Sequence, residues 1–161
     1  MEIKIRKARI EDAGGIAAVV RGLPWITRFD AETVETTTRR IAHHLELCLA
    51  DDSHAVYVAE NADGEIAGYV AVHWLPYLML AGPEGYVSEL FIRESDRGQG
   101  IGTRLLEVAK KEAETRGCTR LMLLNMQERE SYRREFYKKR GWEERPGAAN
   151  FVYKLSKVGQ K

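Results

Sequence analysis

Cysteine is scarce in this sequence, and its placement argues against disulfides and against a zinc site. Two cysteines, Cys48 and Cys118, occur among 161 residues, and no Cys-x-x-Cys pair is present. The four histidines do not fall at zinc-ligand spacing with them. We therefore expect two buried, reduced thiols and no bound metal.

The sequence also lacks an excess of charge of one sign and a long hydrophobic run. The formal net charge is +1, which provides no field that would capture nucleic acid. No apolar run is long enough to cross a bilayer. The first residues, Met1 to Arg6, alternate charged and apolar side chains, which predicts a strand rather than a signal peptide. These features favour a cytoplasmic protein without a nucleic-acid or membrane partner.

The composition is that of one globular domain. Hydrophobic residues make up 44% and charged residues 30% of a chain long enough for a sizeable core. We expect one domain at residues 1–155 and a tail at 156–161. Hydrophobic periodicity predicts an α/β fold with a mixed sheet. The predicted strands lie at residues 2–8, 55–60, 65–74, 86–92, 121–126, 142–144 and 151–155, and the predicted helices at about residues 11–21, 31–49, 101–116 and 131–140.

A glycine-rich turn, Arg97-Gly98-Gln99-Gly100-Ile101-Gly102, joins the strand at residues 86–92 to the third helix. Glycines at such a junction let backbone N–H groups surround an anion, and the helix dipole adds to the attraction. The spacing is neither Gly-x-Gly-x-x-Gly nor Gly-Lys-Ser/Thr, so dinucleotide and P-loop sites are disfavoured. Three alternating glycines are also more than a tight turn needs. The sequence therefore predicts a site for a phosphate-bearing ligand.

Three motifs follow one another along the chain: the glycine turn with Arg97, Gly100 and Gly102, the strand that ends in Asn125, and the run from Phe136 to Trp142. Together they resemble the GNAT superfamily of acetyl-CoA-dependent N-acetyltransferases. Arg97, Gly100 and Gly102 fill its Arg/Gln-x-x-Gly-x-Gly/Ala signature. The strand that ends in Asn125 is similar to the strand that follows in that family. The run from Phe136 to Trp142 resembles its Phe-Tyr-x-x-x-Gly-Phe segment, with tryptophan in the last place. The resemblance implies a mostly antiparallel mixed sheet of about seven strands, with about four helices on both faces.

The resemblance further implies acetyl-CoA as the co-substrate. Its pantetheine arm would pair with the strand edge between two splayed central strands, residues 86–93 and 120–126. Its pyrophosphate would lie on the backbone amides of the glycine turn, with Arg97 beside it. The residues expected to contact acetyl-CoA are Leu90, Phe91, Ile92, Arg97, Gly98, Gln99, Gly100, Ile101, Gly102, Thr103, Asn125 and Tyr137.

The implied reaction is direct attack of a primary amine on the thioester through a tetrahedral intermediate. Tyr137 occupies the position of the family's general acid to the CoA thiolate. Alternation along the strand predicts that Glu89 shares a face with Val87 and Phe91, where its carboxylate could act as general base. A strand-edge glutamate paired with an arginine is an equal alternative. His73 is a second candidate base, and a chain of waters is a third.

The acceptor is less defined than the donor. The family's acceptor loops correspond here to a segment with Trp25, Phe29, Asp30 and Glu32, and to residues 146–150. Aromatic rings near carboxylates would suit a cationic small-molecule or peptide amine. A non-catalytic module that binds or senses acyl-CoA on the same fold is the alternative function. A homodimer is left open.

Overall fold

The computed structural model of the chain describes residues 2–155 and divides it, between Leu124 and Asn125, into two compact units. The expected tail at 156–161 lies outside the described residues, and the expectation of one domain over residues 1–155 stays a prediction. No helix of the described residues has both the length and the apolarity that crossing a bilayer requires.

The first unit contains a five-stranded mixed sheet in the order β1-β2-β3-β4-β5. The first four strands pair antiparallel, and β5 pairs parallel to β4. The strands are β1 (Ile3–Lys7), β2 (His54–Asn61), β3 (Ile66–Leu75), β4 (Glu84–Ile92) and β5 (Arg120–Leu123). The helices of this unit are α1 (Ala13–Arg21), α2 (Val34–Leu49) and α3 (Ile101–Thr115), and the short helix α4 (Glu130–Arg133) belongs to the second unit.

Helices cover both faces of the sheet. On one face, which we call the α1/α2 face, apolar strand residues join one cluster with α1 and α2. On the opposite face, the α3 face, α3 buries its apolar stripe, and Tyr57 on β2 donates a hydrogen bond to Glu112 on α3. The cluster of the α1/α2 face includes Ile16, Val20, Leu45, Val56, Val58, Tyr69 and Ala71, and the buried stripe of α3 is Ile101, Leu105, Leu106, Ala109 and Ala113.

A β-bulge interrupts the pairing of β3 with β4. Ala71 is paired with Glu89, whereas its neighbour Val72 is paired with Val87, so Ser88 is an extra residue on β4. Directly paired residues lie on the same face, and successive residues lie on opposite faces. The bulge therefore turns Glu89 to the α1/α2 face and Val87 to the α3 face.

The prediction of seven strands is wrong beyond β5. Residues 142–144 and 151–155 form no strand among the described residues, and β5 ends at Leu123 rather than Met126. The alternation in Phe151–Leu155 is typical of a strand, but Phe151 is 91% exposed and Tyr153 is 89% exposed. A strand needs a partner for its backbone and cover for its apolar face, and this segment has neither in the described structure.

The predicted helix at 131–140 is also interrupted. Glu135 adopts a left-handed conformation with φ of 56°, and the chain continues as a 3-10 turn at Lys138–Arg140 that ends at Gly141. The charged pairs at helical spacing in this segment, Glu130 with Arg134 and Glu135 with Lys139, would contribute only a few tenths of a kcal/mol each. They do not hold a ten-residue segment in one helix when so few of its side chains are buried.

Candidate functional site

The glycine turn has the backbone that its sequence predicts. Gly98 and Gly100 both have a φ of 77°, in the left-handed region that side-chain-bearing residues rarely adopt. A Cβ placed on either glycine would meet no atom within 4 Å. Backbone conformation, rather than tight packing, is therefore what requires glycine, and the space above the turn is open.

The N-terminus of α3 is presented to this open space. Gly100 is the N-cap, and no side chain caps the helix. The Arg104 amide is bonded to the Gly100 carbonyl, so the amides of Ile101 and Gly102, which precede it, have no acceptor within the helix. Ile101 and Leu105 are almost fully buried and fix the helix against the sheet. This arrangement is suited to binding an anionic group at a rigid position.

Arginine contacts fix the loop that leads into the turn. The Arg93 guanidinium bonds the buried Asp96 carboxylate, and the Arg97 Nε donates to the Ile92 carbonyl at 3.3 Å. The guanidinium of Arg97 also lies 5.8 Å from the ring centre of Trp25. Arg97, which is predicted to contact phosphate, thus links the end of β4 to the loop that follows α1.

One edge of β4 is open over half of its length. The parallel ladder with β5 runs from Glu84 and Arg120 to Val87 and Leu123 and then stops. Residues 88–92 continue β4 and pair with β3 on the other side only, within the part of the chain that is described. The predicted contact residues Leu90, Phe91 and Ile92 lie on this free edge and are partly buried.

Glu89 lies on the opposite face of the sheet from Val87, so the predicted sharing of a face with Val87 is wrong, while the sharing with Phe91 holds. The bulge at Ser88 is the physical reason. The Glu89 carboxylate accepts a hydrogen bond from the buried hydroxyl of Tyr69. The residue is exposed in part, but protein atoms around the carboxylate displace water, and this burial raises its pKa.

Glu89 also interacts with two charged or ionisable groups outside the sheet, Arg28 and Cys48. The positive charge of Arg28, in the loop between α1 and α2, lowers the pKa of Glu89, although less than burial raises it. Burial and the charge of Glu89 together raise the pKa of Cys48 on α2. Cys48 is therefore a protonated thiol near the carboxylate, and both cysteines are partly buried rather than buried as expected.

In the second unit, Tyr137 is packed between two aromatic rings. Its ring centre lies 5.0 Å from that of Phe136 and 5.9 Å from that of Trp142. Burial raises the pKa of Tyr137 to about 12. Asn125, also predicted as a contact residue, accepts a hydrogen bond from Ser131 at 2.9 Å, which links it to the start of α4.

The expected acceptor loop is only partly available for a substrate. Phe29 is buried in the core, and the two Glu32 carboxylate oxygens are bonded to Arg40 at 2.8 and 2.7 Å. Asp30 is exposed, and Trp25 packs on Phe91 with ring centres 6.4 Å apart. The Glu89 carboxylate lies close enough to this loop for the charge of Arg28 to lower its pKa.

Sequence reasoning missed the partners of Glu89 and the geometry around Ser88. Tyr69 is two residues from Ala71 on β3 and carries no motif. The Ser88 hydroxyl lies 2.7 Å from the Nε2 of His73. The signal in the sequence is the polar pair Ser88-Glu89 within the otherwise apolar run of residues 86–92. The bulge on β4 places both side chains on one face of the sheet.

Comparisons with known proteins agree with this geometry. Residues 20–142 match the family model described as the acetyltransferase (GNAT) family. An acetyltransferase of Agrobacterium fabrum is 35% identical over 74 residues, which cover 46% of this chain and 42% of that protein. An uncharacterized N-acetyltransferase of Archaeoglobus fulgidus is 36% identical over 76 residues, which cover 46% of this chain and 50% of that protein. The chain thus spans about half the length of the curated relatives it matches.

The fold has a similar counterpart among solved structures. The crystal structure of a transcriptional regulator from Bacillus halodurans superposes with a TM-score of 0.83 at 22% identity, over 96% of this chain and all of that one. At that identity the likeness concerns the fold alone. The match of the family model to most of the chain, including the glycine turn, shows that this protein belongs to the acetyltransferase (GNAT) family.

Proposed function

We propose that this protein is an N-acetyltransferase that moves an acetyl group from acetyl-CoA to a primary amine. The observation that carries the proposal is the uncapped N-terminus of α3 behind two left-handed glycines, next to the free edge of β4. Membership of the family supports the same reaction class. The residues of the turn also fit the donor, because backbone donors and open space occur together there.

The donor would be held by backbone groups rather than by a cage of charges. The amides from Gly98 to Thr103 would bind the pyrophosphate, with the helix dipole adding to the attraction. The pantetheine arm of acetyl-CoA would pair with the free edge of residues 88–92 like an extra strand, since that edge has no neighbouring strand in the described structure. A thioester so bound supplies an activated acyl carbon.

Glu89 is the proposed general base. It would accept a proton from the acceptor ammonium, because an amine attacks only in its neutral form. A raised pKa suits this role, since it makes the carboxylate a stronger base. Backbone N–H groups near Leu90 to Ile92 would donate to the oxygen that gains charge.

Tyr137 is the proposed general acid toward the leaving thiolate. With a pKa of about 12 it remains protonated throughout the neutral range. Because a thiol has a pKa of about 8.5, full transfer of the proton to a thiolate is unfavourable. We therefore assign Tyr137 the role of a hydrogen-bond donor that stabilises the thiolate until solvent supplies the proton.

The test has a binding part and a turnover part. Calorimetry with coenzyme A, and separately with ATP, should give binding of coenzyme A that is clearly tighter. Thiol release from acetyl-CoA is then followed with four acceptors: spermidine, glucosamine, lysine and a peptide with N-terminal alanine. Amine-dependent release supports the enzyme. Binding with no release for any amine would favour the acyl-CoA-binding module, and no binding of coenzyme A would overturn both.

A further inference from the structure

We propose that Ser88 and His73 form a relay that carries the acceptor's proton from Glu89 to solvent. This inference rests on the proposed function and adds residues to it that no motif assigns. Three side chains define the relay: the carboxylate of Glu89, the hydroxyl of Ser88 and the imidazole of His73.

The β-bulge brings the three groups to one face of the sheet. His73 is paired with Tyr86 and with His54, and these residues lie on the α1/α2 face, where Glu89 also lies. The Ser88 hydroxyl reaches that face, because it lies 2.7 Å from the Nε2 of His73. In a strand of regular alternation, Ser88 and Glu89 would point to opposite faces, and no such row could form.

The hydrogen bond of Ser88 indicates the direction of proton movement. The Ser88 hydroxyl oxygen lies 3.5 Å from the Ala71 carbonyl oxygen, much farther than the 2.7 Å that separates it from the Nε2 of His73. The hydroxyl proton is therefore best placed toward Nε2, with the imidazole as acceptor and its own proton on Nδ1. In this arrangement His73 can accept a proton from Ser88 while Ser88 accepts another.

The surroundings keep His73 in the neutral form that can accept a proton. Burial, and to a smaller extent His54, lower the pKa of His73. The ring of His54 meets it edge-on from β2 at 4.6 Å, and the ring of Tyr86 on β4 lies at 6.2 Å. Two carboxylates lie on this face along β4: Glu84, which is buried and accepts a hydrogen bond from Arg120, and Glu89, the proton donor of the relay. His73 is also partly exposed, which gives its proton a way out.

A relay is needed because the acceptor itself blocks the direct route. Glu89 is partly open to solvent in the free protein, but an ammonium group bonded to it covers that opening. The proton taken from the ammonium passes from Glu89 to Ser88, directly or through one water, as the Ser88 proton moves to Nε2 of His73. The imidazolium then loses its Nδ1 proton to solvent, and exchange with solvent returns the remaining proton from Nε2 to Nδ1 before the next turnover. The nitrogen loses two protons as the ammonium becomes an amide and the thiolate takes up one from solvent, so one proton leaves in net per acetyl group transferred.

The kinetic test compares Ser88→Ala and His73→Ala with His44→Ala, which removes an exposed histidine from α2. The acceptor is the amine with the highest wild-type turnover among the four named above. Both relay variants should lower kcat/KM for the amine by about tenfold, with the KM for acetyl-CoA unchanged, and the His44 variant should match the wild type. Added imidazole should restore much of the His73→Ala activity and none of the Ser88→Ala activity. Loss of His73 should also reduce the acid limb of the pH profile from second to first order in protons.

Nitrogen NMR of the free protein tests the geometry without turnover. The wild type should show His73 protonated on Nδ1 and hydrogen bonded at Nε2, and Ser88→Ala should remove that bond. A proton on Nε2 in the wild type would overturn the relay. Wild-type kinetics in a His73→Ala protein that folds would overturn it too, while leaving the acetyltransferase intact. A wild type that transfers to none of the amines would instead refute the proposed function, and the relay with it.

Discussion

The hydroxyl of Tyr69 on β3 donates a hydrogen bond to the carboxylate of Glu89 on β4, and both residues face α1 and α2. Tyr69 is buried, and burial, with the nearby Glu89, raises its pKa well above the ordinary value for tyrosine. The tyrosine therefore stays a donor throughout the neutral range. It stabilises the ionised form of Glu89 and partly offsets the effect of burial.

We predict that Tyr69→Phe shifts the acid limb of the kcat/KM profile to higher pH. A hydrogen bond to the charged form lowers a carboxyl pKa, so its loss lets the pKa of Glu89 rise further. Activity that needs the carboxylate is then lost at a higher pH as acid is added. Tyr57→Phe is the matched control, because it removes a similar bond, to Glu112, on the opposite face. An unshifted limb for Tyr69→Phe, or an equal shift for Tyr57→Phe, would contradict the assignment of Glu89.

Replacing the carboxylate itself should have a larger effect. Glu89→Gln keeps the shape and removes the base, and we expect kcat to fall by roughly a hundredfold at neutral pH. The loss should shrink as pH rises, because more of the acceptor amine is then already neutral. Glu94→Gln, in an exposed position after β4, should leave the rate unchanged. Activity of Glu89→Gln close to that of the wild type at neutral pH would leave a chain of waters as the base.

The glycine turn offers a comparison with a second glycine of the same conformation. Gly64 has a φ of 80° and, like Gly100, no atom within 4 Å of a Cβ. Alanine at either position should cost roughly 1–2 kcal/mol of stability, because the strain has the same origin. Only Gly100→Ala should weaken coenzyme A binding, by about tenfold or more in calorimetry. If both variants bind coenzyme A equally well, the turn is not the pyrophosphate site.

For Tyr137→Phe we expect turnover to fall by roughly tenfold or more, with little change in the affinity for acetyl-CoA. The phenyl ring keeps the packing against Phe136 and Trp142, so the loss would report the hydroxyl alone. Tyr132→Phe is the control from the same segment, since its hydroxyl is bonded to Glu144 at 2.9 Å. Steady-state kinetics on both variants decide the matter, and an unchanged turnover for Tyr137→Phe would remove it from the mechanism.

A stability prediction concerns Asp12, at the start of α1. Burial alone raises the pKa of Asp12, but hydrogen bonds from the Arg6 guanidinium, at 2.8 Å, and from the Arg9 amide outweigh it, so the pKa is lowered. Asp12→Asn should therefore cost about 2–3 kcal/mol at neutral pH, measured by urea unfolding. The exposed neighbour Glu11 provides the control, Glu11→Gln.

The pH dependence of that cost follows from the sign of the shift. A lowered pKa in the folded state means that the stabilisation is fully present above the ordinary aspartate value of about 3.9. It is lost as pH falls through the lower value of the folded state. The wild type and Asp12→Asn should thus converge in stability only in strong acid. Convergence already near neutral pH would contradict the role of the ion pair.

The parts of the fold that the sequence predicts correctly are those determined by local chemistry. Gly98 and Gly100 predict the turn because glycine readily adopts a positive φ, and the residues from Asn61 to Gly64 predict the β2–β3 hairpin in the same way. The predicted sharing of a face by Glu89 and Val87 is wrong because faces depend on the pairing of two strands. A bulge is a property of two strands in register, and alternation along one strand does not reveal it.

The errors in the second unit have a similar origin. Residues 151–155 have the alternation of a strand, but a strand forms only where another backbone completes its hydrogen bonds. Glu135 breaks the predicted helix with a backbone angle that its residue type does not favour. The hydrogen bond from Tyr69 to Glu89 joins residues twenty positions apart, and neither residue signals the other.

The extra residue on β4 also determines which changes in chain length this protein can accept. Removing Ser88 would make Val87 and Glu89 direct neighbours, still paired with Val72 and Ala71, so Glu89 would keep its face of the sheet. Phe91 would likewise keep its place beside Trp25. Loss of the Ser88 codon is therefore a local change, whereas loss of a regularly paired codon such as that of Leu90 would reverse the faces of the β4 residues beyond it, in the strand that both substrates are proposed to share.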